Sequence, residues 1–102
     1  MKILIVLAHP ETKSFNAAMF QSAIRTLEDH GHEIKTSDLY RMNFSPVSDR
    51  NNFTAAKNDT YFSQQAEEHF ASENYGFAND IVEEQDKVQW CDLMIWQFPL
   101  WW

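Results

Sequence analysis

The hydrophobic pattern of the chain begins with an unbroken apolar run. Residues 3–8 are all Ile, Leu, Val or Ala, with no polar residue between them. An apolar run without alternation is typical of a strand covered on both faces, as the strands of parallel sheets are. A second such run, residues 93–96 followed by Phe98, lies close to the last residue. We therefore expect two buried strands, and we assign Trp96 and Phe98 to the core.

A helix is predicted directly after the first of these strands. Between residues 17 and 27 the apolar side chains recur every three or four positions, which is the spacing of an amphipathic helix. Ser14 stands where an N-cap residue is preferred, and Gly31 stands where helices commonly stop. The helix is therefore expected to begin after Ser14 and to end before Gly31.

The middle of the chain carries weaker signals. Residues 33–40 alternate in part, which indicates a shorter edge strand. Residues 41–59 show little periodicity, so this segment is either functional or packed by its own aromatic side chains. A weak helix is expected from about residue 60 to residue 70, and His69, which lies among Glu67, Glu68 and Phe70, is expected on a solvated face of it. A further helix is expected to follow Asn79 as its cap.

The order of these elements predicts the fold class. The predicted elements alternate as in an α/β fold with a parallel sheet: strand, helix, strand, a loop with helices, and strand. Right-handed crossovers would place helices on both faces of that sheet. A chain of 102 residues has the length of one compact domain. We therefore expect residues 1–102 to belong to a single domain.

Composition narrows the classes of partner and the compartment. The formal net charge is −7, and no basic run interrupts it, so a nucleic-acid surface or binding to anionic membranes is not expected. The opening apolar run is too short for a membrane span or a signal peptide. Cys91 is the single cysteine, which fits a reducing compartment, and we expect a cytoplasmic protein. Cys91 itself is interpreted as a small buried core residue.

Two loops are expected to meet at one edge of the sheet. Ligands of open parallel sheets lie beyond the carboxyl ends of the strands, where the strand order reverses. In the common order 2-1-3-4-5 the reversal lies between the first and third strands. The loops that follow these strands are the polar segment 8–16 and the aromatic segment 97–102. They are therefore predicted to be neighbours in space.

The polar loop has the chemistry of an anion site. It leads into a helix N-terminus, where free backbone N–H groups and the helix dipole favour negative charge. Thr12, Ser14 and Asn16 add polar donors, and His9 and Lys13 could add positive charge. With only two glycines in the chain, a dinucleotide fingerprint or a P-loop is excluded. An equally weighted alternative is that Ser14 only caps the helix and His9 is a hydrogen-bonded histidine at a strand end.

The aromatic loop offers a stacking surface. Pro99 fixes the backbone, and Trp101 and Trp102 follow it beyond the end of the strand. Aromatic pairs contribute roughly 0.5–1.5 kcal/mol beyond the area they bury, so a flat heteroaromatic ligand would be held well here. A phosphate site beside a stacking surface predicts a nucleotide-like cofactor with a planar ring, namely a flavin.

Four segments together resemble a known family. They are ILIVLAH with KSFN (3–9 and 13–16), SDLYRMNFSP (37–46), DIVEEQ (80–85) and DLMIWQFPLWW (92–102). In this order they resemble the N-terminal half of the NAD(P)H:quinone oxidoreductases. The resemblance implies a flavodoxin-like α/β three-layer sandwich with a parallel sheet, of which this chain carries strands 2-1-3 of the usual order 2-1-3-4-5.

The resemblance also implies an activity and a set of site residues. It implies a flavoenzyme, usually with FAD and alternatively with FMN, that transfers hydride from NADH or NADPH to a quinone. The full-length protein would be a homodimer. No metal site is implied, and Gln64 is a loose match to a glutamine of the middle loop. Trp102 would also face the substrate. The residues assigned to the cofactor are His9, Ser14, Phe15, Asn16, Pro99, Leu100, Trp101 and Trp102.

The sequence departs from the family pattern in three respects. Trp101 is larger than the residue usual at its position, and residues 51–77 differ from the family pattern. The chain also stops where such enzymes continue, so it is interpreted as truncated, with no catalytic residue assigned and little activity expected by itself. Asp38 and Tyr40 are interpreted as structural and left outside the site.

Two other functions remain open at this point. One is a non-catalytic regulatory subunit of a potassium-efflux system, and the other is a flavodoxin-like electron carrier. Binding to a membrane transporter without flavin chemistry would favour the first. A stabilised one-electron semiquinone would favour the second. The acidic charge is compatible with both.

Overall fold

A computed structural model describes residues 1–101, and its central feature is an open sheet of three parallel strands. The strand order is β2-β1-β3, which confirms the order expected from the resemblance. Ile3 of the first strand pairs with Ile34 on one side and with Leu93 on the other. The strands are β1 (Lys2–Leu7), β2 (Glu33–Asp38) and β3 (Leu93–Gln97). The helices are α1 (Phe15–Asp29), α2 (Gln64–Asn74), α3 (Asn79–Trp90) and a short 3-10 helix, Arg50–Asn52.

The chain is divided into two compact units. One comprises residues 1–44 and 86–102, and the other comprises residues 45–85. The first unit contains the sheet and α1, and the second contains the 3-10 helix and α2. The interpretation of the chain as part of a single domain stays a prediction.

The core of the first unit lies between β1 and α1. Ile3, Ile5 and Leu7 point to one side of the strand and pack with Ala17 and Phe20 of the helix, and all five are buried. Successive strand residues point to opposite faces, and Leu4, which faces the other way, is also buried. β1 is therefore covered on both faces, as its unbroken apolar run predicts.

The end of α3 packs against β2 on the opposite face of the sheet. The Lys87 ammonium donates to the Thr36 carbonyl oxygen and to the Ser37 hydroxyl, each at 3.1 Å. The Lys35 ammonium lies 4.5 Å from the centroid of the Trp90 ring, within the range of a cation–π interaction. Helix, sheet and helix thus form three layers in the first unit.

The helix α1 ends in a Schellman motif centred on Gly31. The Gly31 N–H donates to the Glu28 carbonyl at 2.9 Å, and the His32 N–H donates to the Leu27 carbonyl at 3.1 Å. Gly31 has φ +86°, in the left-handed region where a side chain is disfavoured. The sequence prediction of a helix stop at Gly31 is confirmed.

Replacing Gly31 with alanine is expected to lower the free energy of unfolding by about 1–2 kcal/mol. A Cβ at this position would meet no atom within 4 Å, so the loss comes from the backbone conformation alone. Gly31→Asn is the matched control, because asparagine tolerates this conformation better. Urea denaturation should show a smaller loss for Gly31→Asn than for Gly31→Ala. Equal losses in the two variants would contradict this explanation.

Several element boundaries differ from the sequence prediction. The weak helix occupies Gln64–Asn74 rather than residues 60–70, and β2 ends at Asp38. Asn79 is the first residue of α3 and not its cap, because the Ala78 carbonyl accepts the bond from the Val82 N–H. Propensity and pattern place an element more reliably than they place its ends.

The assignment of Trp96 and Phe98 to the core is wrong. Trp96 is 64% exposed and Phe98 is 48% exposed. β3 pairs only with β1, so no strand or helix of residues 1–101 covers its outer edge. Cys91 also differs from the prediction, since it is half-buried and its Sγ contacts the Val88 carbonyl at 3.2 Å.

The second unit is packed by its own aromatic rings. Phe53 lies 6.3 Å from Phe62 and 5.8 Å from Phe77, measured between ring centroids. An isolated antiparallel bridge joins Phe53 to Phe77, and the Thr54 N–H donates to the Gly76 carbonyl at 2.8 Å. Phe53 of the long segment with little periodicity thus packs against rings from later in the second unit, and not against aromatic side chains of its own segment.

A buried carboxylate also organises the second unit. Glu67 of α2 is only 2% exposed, and its carboxylate accepts the backbone N–H groups of Lys57 at 2.8 Å and Asn58 at 3.2 Å. The Arg50 guanidinium lies 3.9 Å away. The Lys57 N–H group above all holds the pKa of Glu67 below its usual value, because it stabilises the ionised form against the effect of burial. His69, expected on a solvated face of this helix, is exposed, whereas Glu67 two positions earlier is buried.

Candidate functional site

The loop between β1 and α1 presents unpaired donors at a helix N-terminus. The Ser14 hydroxyl oxygen accepts the Ala17 N–H at 3.0 Å, so Ser14 is the N-cap, as the sequence predicts. The backbone N–H groups of Phe15 and Asn16, in the first turn of α1, have no acceptor within residues 1–101. Together with the helix dipole, these two N–H groups can bind an anion.

His9 lies at the start of this loop, where its ring accepts a backbone hydrogen bond. Its Nδ1 accepts the Glu11 N–H at 3.0 Å, so in this geometry Nδ1 carries no proton. The proton is therefore on Nε2, which is available as a hydrogen-bond donor. His9 can therefore contribute a hydrogen-bond donor to the polar loop.

The polar loop and the aromatic loop meet, as the topology predicts. The Ala8 N–H donates to the Gln97 carbonyl oxygen at 3.0 Å, which extends the pairing of β1 and β3 into the two loops. The Gln97 side-chain amide donates to Asn16 Oδ1 at 2.5 Å. The rings of His9 and Trp101 are in edge-to-face contact, with centroids 5.2 Å apart and planes at 64°. Three separate contacts thus join the two segments.

The aromatic loop exposes a broad apolar surface beside these contacts. Leu100 is 73% exposed and Trp101 is 66% exposed, while Pro99 is half-buried. Phe15, in the first turn of α1, is 78% exposed. Trp102, to which the sequence assigns cofactor and substrate contacts, lies outside the described residues. The exposed rings are available for stacking against a planar ligand.

A cavity of about 370 Å³ opens at the carboxyl ends of β1 and β2, within the range of roughly 300–1,000 Å³ typical of ligand pockets. Sequence reasoning left Asp38 and Tyr40 outside the site and did not consider Arg41, yet all three line this cavity. The strand-end rule would have found them if it had been applied to β2 as well as to β3. The other lining residues are Leu7, His9, Pro10, Glu11, Thr12, Ala17 and Gln21.

Gln64, the loose match to a glutamine of the middle loop, belongs to the second unit. Its side-chain nitrogen donates to Glu68 Oε1 at 3.0 Å and contacts Asn52 Oδ1 at 3.4 Å. These contacts hold Gln64 within its own unit. Its assignment to a cofactor stays a prediction.

The donors and rings of the first unit fit a flavin. Phosphate oxygens accept hydrogen bonds, which the N–H groups of Phe15 and Asn16 can donate. The rings and aliphatic groups of the 99–101 segment match a planar heteroaromatic ring system. No helix within residues 1–101 has both the length and the apolar character to cross a membrane.

Comparison with known sequences identifies the relatives of the chain. The family model described as flavodoxin-like fold matches residues 1–102. The chain is 47% identical to ribosyldihydronicotinamide dehydrogenase [quinone] of Mus musculus, over 99% of this chain and 44% of the mouse protein. It is 44% identical to NAD(P)H dehydrogenase [quinone] 1 of Rattus norvegicus, over 99% of this chain and 37% of the rat protein. The chain thus spans less than half the length of these relatives.

Solved structures give the same picture. A Klebsiella pneumoniae protein assigned as a quinone reductase superposes with a TM-score of 0.95 and 39% identity, over all of this chain and 39% of the other. The NAD(P)H:quinone oxidoreductase of Methanothermobacter marburgensis superposes with a TM-score of 0.76 and 26% identity, over all of this chain and 46% of the other. Similarity in sequence and in backbone therefore points to the same group of proteins.

Proposed function

The chain belongs to the flavodoxin-like family, and from that membership and the geometry of its site we propose that it forms the flavin-binding half of an NAD(P)H:quinone oxidoreductase. The observation that carries the proposal is the convergence of the α1 N-terminus with the 97–101 segment. The contacts of Gln97 with Asn16 and of Trp101 with His9 support the proposal, because a helix N-terminus with free N–H groups and an exposed indole ring suit the phosphate and the ring of one ligand. The named relatives, which are quinone dehydrogenases, support the reaction class.

Each part of the site has a separate role in this proposal. The backbone N–H groups of Phe15 and Asn16 bind a phosphate, with Ser14 holding the first turn of α1 in place. Leu100 and Trp101 support one side of the flavin ring. Bound flavin would supply the chemistry by accepting hydride from NADH or NADPH and passing it to a quinone. Trp102 is proposed to face the quinone.

We propose FAD rather than FMN as the cofactor. FAD carries an adenosine that FMN lacks, and the cavity of about 370 Å³ beside the polar loop has room for a group of this kind. Asp38, Arg41 and Gln21 supply polar groups around that cavity. FMN would leave these groups in water.

The remaining parts of the proposal concern assembly and location. We propose a homodimer for the full-length protein, as the family resemblance implies, and a small electron acceptor of the quinone class as substrate. The cytoplasm is the proposed location, because the single cysteine of the chain can form no disulfide within it, which fits a reducing compartment.

Flavin binding by the chain tests the proposal directly. FMN and FAD fluorescence should be quenched on addition of the protein, because stacking on Trp101 brings the two ring systems together. Trp101→Ala should weaken flavin binding by about tenfold, the factor that corresponds to a lost aromatic contact. A wild-type chain that quenches neither FMN nor FAD would overturn the proposal.

Trp96→Ala is the matched control for this experiment. Trp96 is 64% exposed, nearly the same as Trp101 at 66%, but it pairs with Val6 and points to the sheet face opposite α1. Its removal should leave flavin affinity unchanged. An equal loss in both variants would show that the 99–101 segment has no specific part in binding.

A further inference from the structure

Gln97 joins the last position of β3 to the first turn of α1. Gln97 pairs with Leu7 of β1, whose side chain faces α1. The backbone oxygen of Gln97 accepts the Ala8 N–H. The side chain therefore extends toward α1, where it reaches Asn16 and Met19. The sequence alone assigns Gln97 no role in a cofactor site, because the partners of its side chain depend on the register between β3 and β1.

The orientation of the Gln97 amide is defined by its two acceptors. A primary amide nitrogen has two hydrogens. One is donated to Asn16 Oδ1 at 2.5 Å, and the nitrogen also lies 4.0 Å from the Met19 sulfur, a weak acceptor. Turning the Gln97 amide alone would place its oxygen against both acceptors, and turning the Gln97 and Asn16 amides together would still place that oxygen against the Met19 sulfur. Gln97 thus presents N–H groups, and not its oxygen, to α1.

This contact fixes the amide of Asn16 in turn. Because Oδ1 accepts from Gln97, the Asn16 Nδ2 group points away from that bond, and it has no partner within residues 1–101. Asn16 is the second residue of α1, and helix side chains lean toward the N-terminus. Its two Nδ2 hydrogens therefore add to the unpaired backbone N–H groups of Phe15 and Asn16.

We propose that Gln97 is a positioning residue that holds the Asn16 side-chain amide with its Nδ2 hydrogens available to the phosphate of the bound flavin. This inference rests on the proposed function. An Asn16 amide in the reverse orientation would present Oδ1 to the phosphate, and two acceptors facing each other repel. Gln97 thus selects the donor orientation.

Gln97→Glu tests the inference, because a carboxylate only accepts and would bond to Asn16 Nδ2 instead of Oδ1. The measurement is an NMR titration of the ¹⁵N-labelled chain with FMN and with riboflavin, which lacks the phosphate. In the variant, affinity for FMN should fall by about tenfold, the effect of losing a hydrogen bond to a charged group. Affinity for riboflavin should stay the same. An equal fall for both ligands, or none, would overturn the inference.

Two further variants separate positioning from simple charge repulsion. In an Asn16→Ala background, Gln97→Glu should cause no additional loss of FMN affinity, because the group that it orients is gone. A full additional loss there would show that the new carboxylate repels the phosphate directly and would overturn the inference. Gln89→Glu, at an exposed position of α3, adds the same charge outside the site and should leave both affinities unchanged.

The failure of this inference is distinguishable from the failure of the proposed function. Pyrophosphate serves as a probe of the anion site without a flavin ring. The wild-type chain could bind pyrophosphate, with the affinity lowered by Gln97→Glu, and yet bind neither FMN nor FAD. That result would refute the proposed function, and it would also show that the ligand positioned through Gln97 is not a flavin. FMN binding that is insensitive to Gln97 would refute the positioning role alone.

Discussion

Ile5→Ala is expected to lower the free energy of unfolding of the first unit by about 2–5 kcal/mol. Ile5 is fully buried at the centre of the sheet, between β2 and β3, and it packs with the core against α1. Truncation removes apolar contacts and leaves a cavity that the neighbouring strands cannot fill. Since small domains are stable by only about 5–15 kcal/mol, a loss of this size removes a large part of the total.

Met94→Ala is the control for this prediction. Met94 pairs with Leu4 in the same sheet but is 40% exposed on the edge strand β3. Truncation at an exposed site usually changes stability by about 0.5 kcal/mol or less. Urea denaturation of both variants should show a clearly larger loss for Ile5→Ala. Similar losses in the two would mean that the centre of the core lies elsewhere.

The local pattern predicted β1 correctly because its surroundings match its composition. A run of branched apolar residues needs cover on both faces, and β1 has a strand on each side and buried residues on both faces. The same kind of run in β3 gave a wrong expectation for Trp96. The hydrophobicity of a segment indicates how much apolar surface it can bury, whereas the exposure of its side chains depends on how many strands and helices pack against the segment. β3 has one strand neighbour within residues 1–101.

The candidate site was predictable where it depends on topology. Parallel strands bring their carboxyl ends to one edge, so the meeting of the His9 and Trp101 segments follows from the strand order. The contact between Gln97 and Asn16 was not predictable, because it depends on register and on the direction of single side chains. The hydrogen bond from the Glu11 N–H to His9 Nδ1 could not be predicted either, because it depends on the direction of a single side chain.

Glu67 shows a further limit of sequence reasoning. An acidic residue within a weakly amphipathic helix is usually solvated, and its neighbour His69 is indeed exposed, paired with Glu73 at 3.0 Å. Glu67 is buried instead because its carboxylate accepts hydrogen bonds from the backbone N–H groups of Lys57 and Asn58, ten and nine positions earlier, which would otherwise bond to water. Hydrogen bonds from a loop backbone to one distant side chain leave no periodic signal in the sequence.

Glu67→Gln is expected to release the segment around Lys57 and Asn58. Glutamine has the same shape, but it turns an NH₂ group toward one of the two backbone N–H donors that the carboxylate accepts. Hydrogen exchange should show a large loss of protection at both backbone amides. Glu73→Gln, on the exposed face of the same helix, is the matched control and should leave that protection intact. Equal protection at Lys57 in the two variants would contradict the anchoring role.

The wild-type chain is expected to show the same release in acid. The pKa of Glu67 in the folded state lies below its ordinary value of 4.5, chiefly because of the hydrogen bond from the Lys57 N–H. The stabilisation is therefore complete above pH 4.5 and is lost as the pH falls through the lower, folded-state pKa. Protection factors of Lys57 and Asn58 should decline over this acid range in wild type. In Glu67→Gln they should already be low and independent of pH, and a parallel acid decline in that variant would assign the transition to another carboxylate.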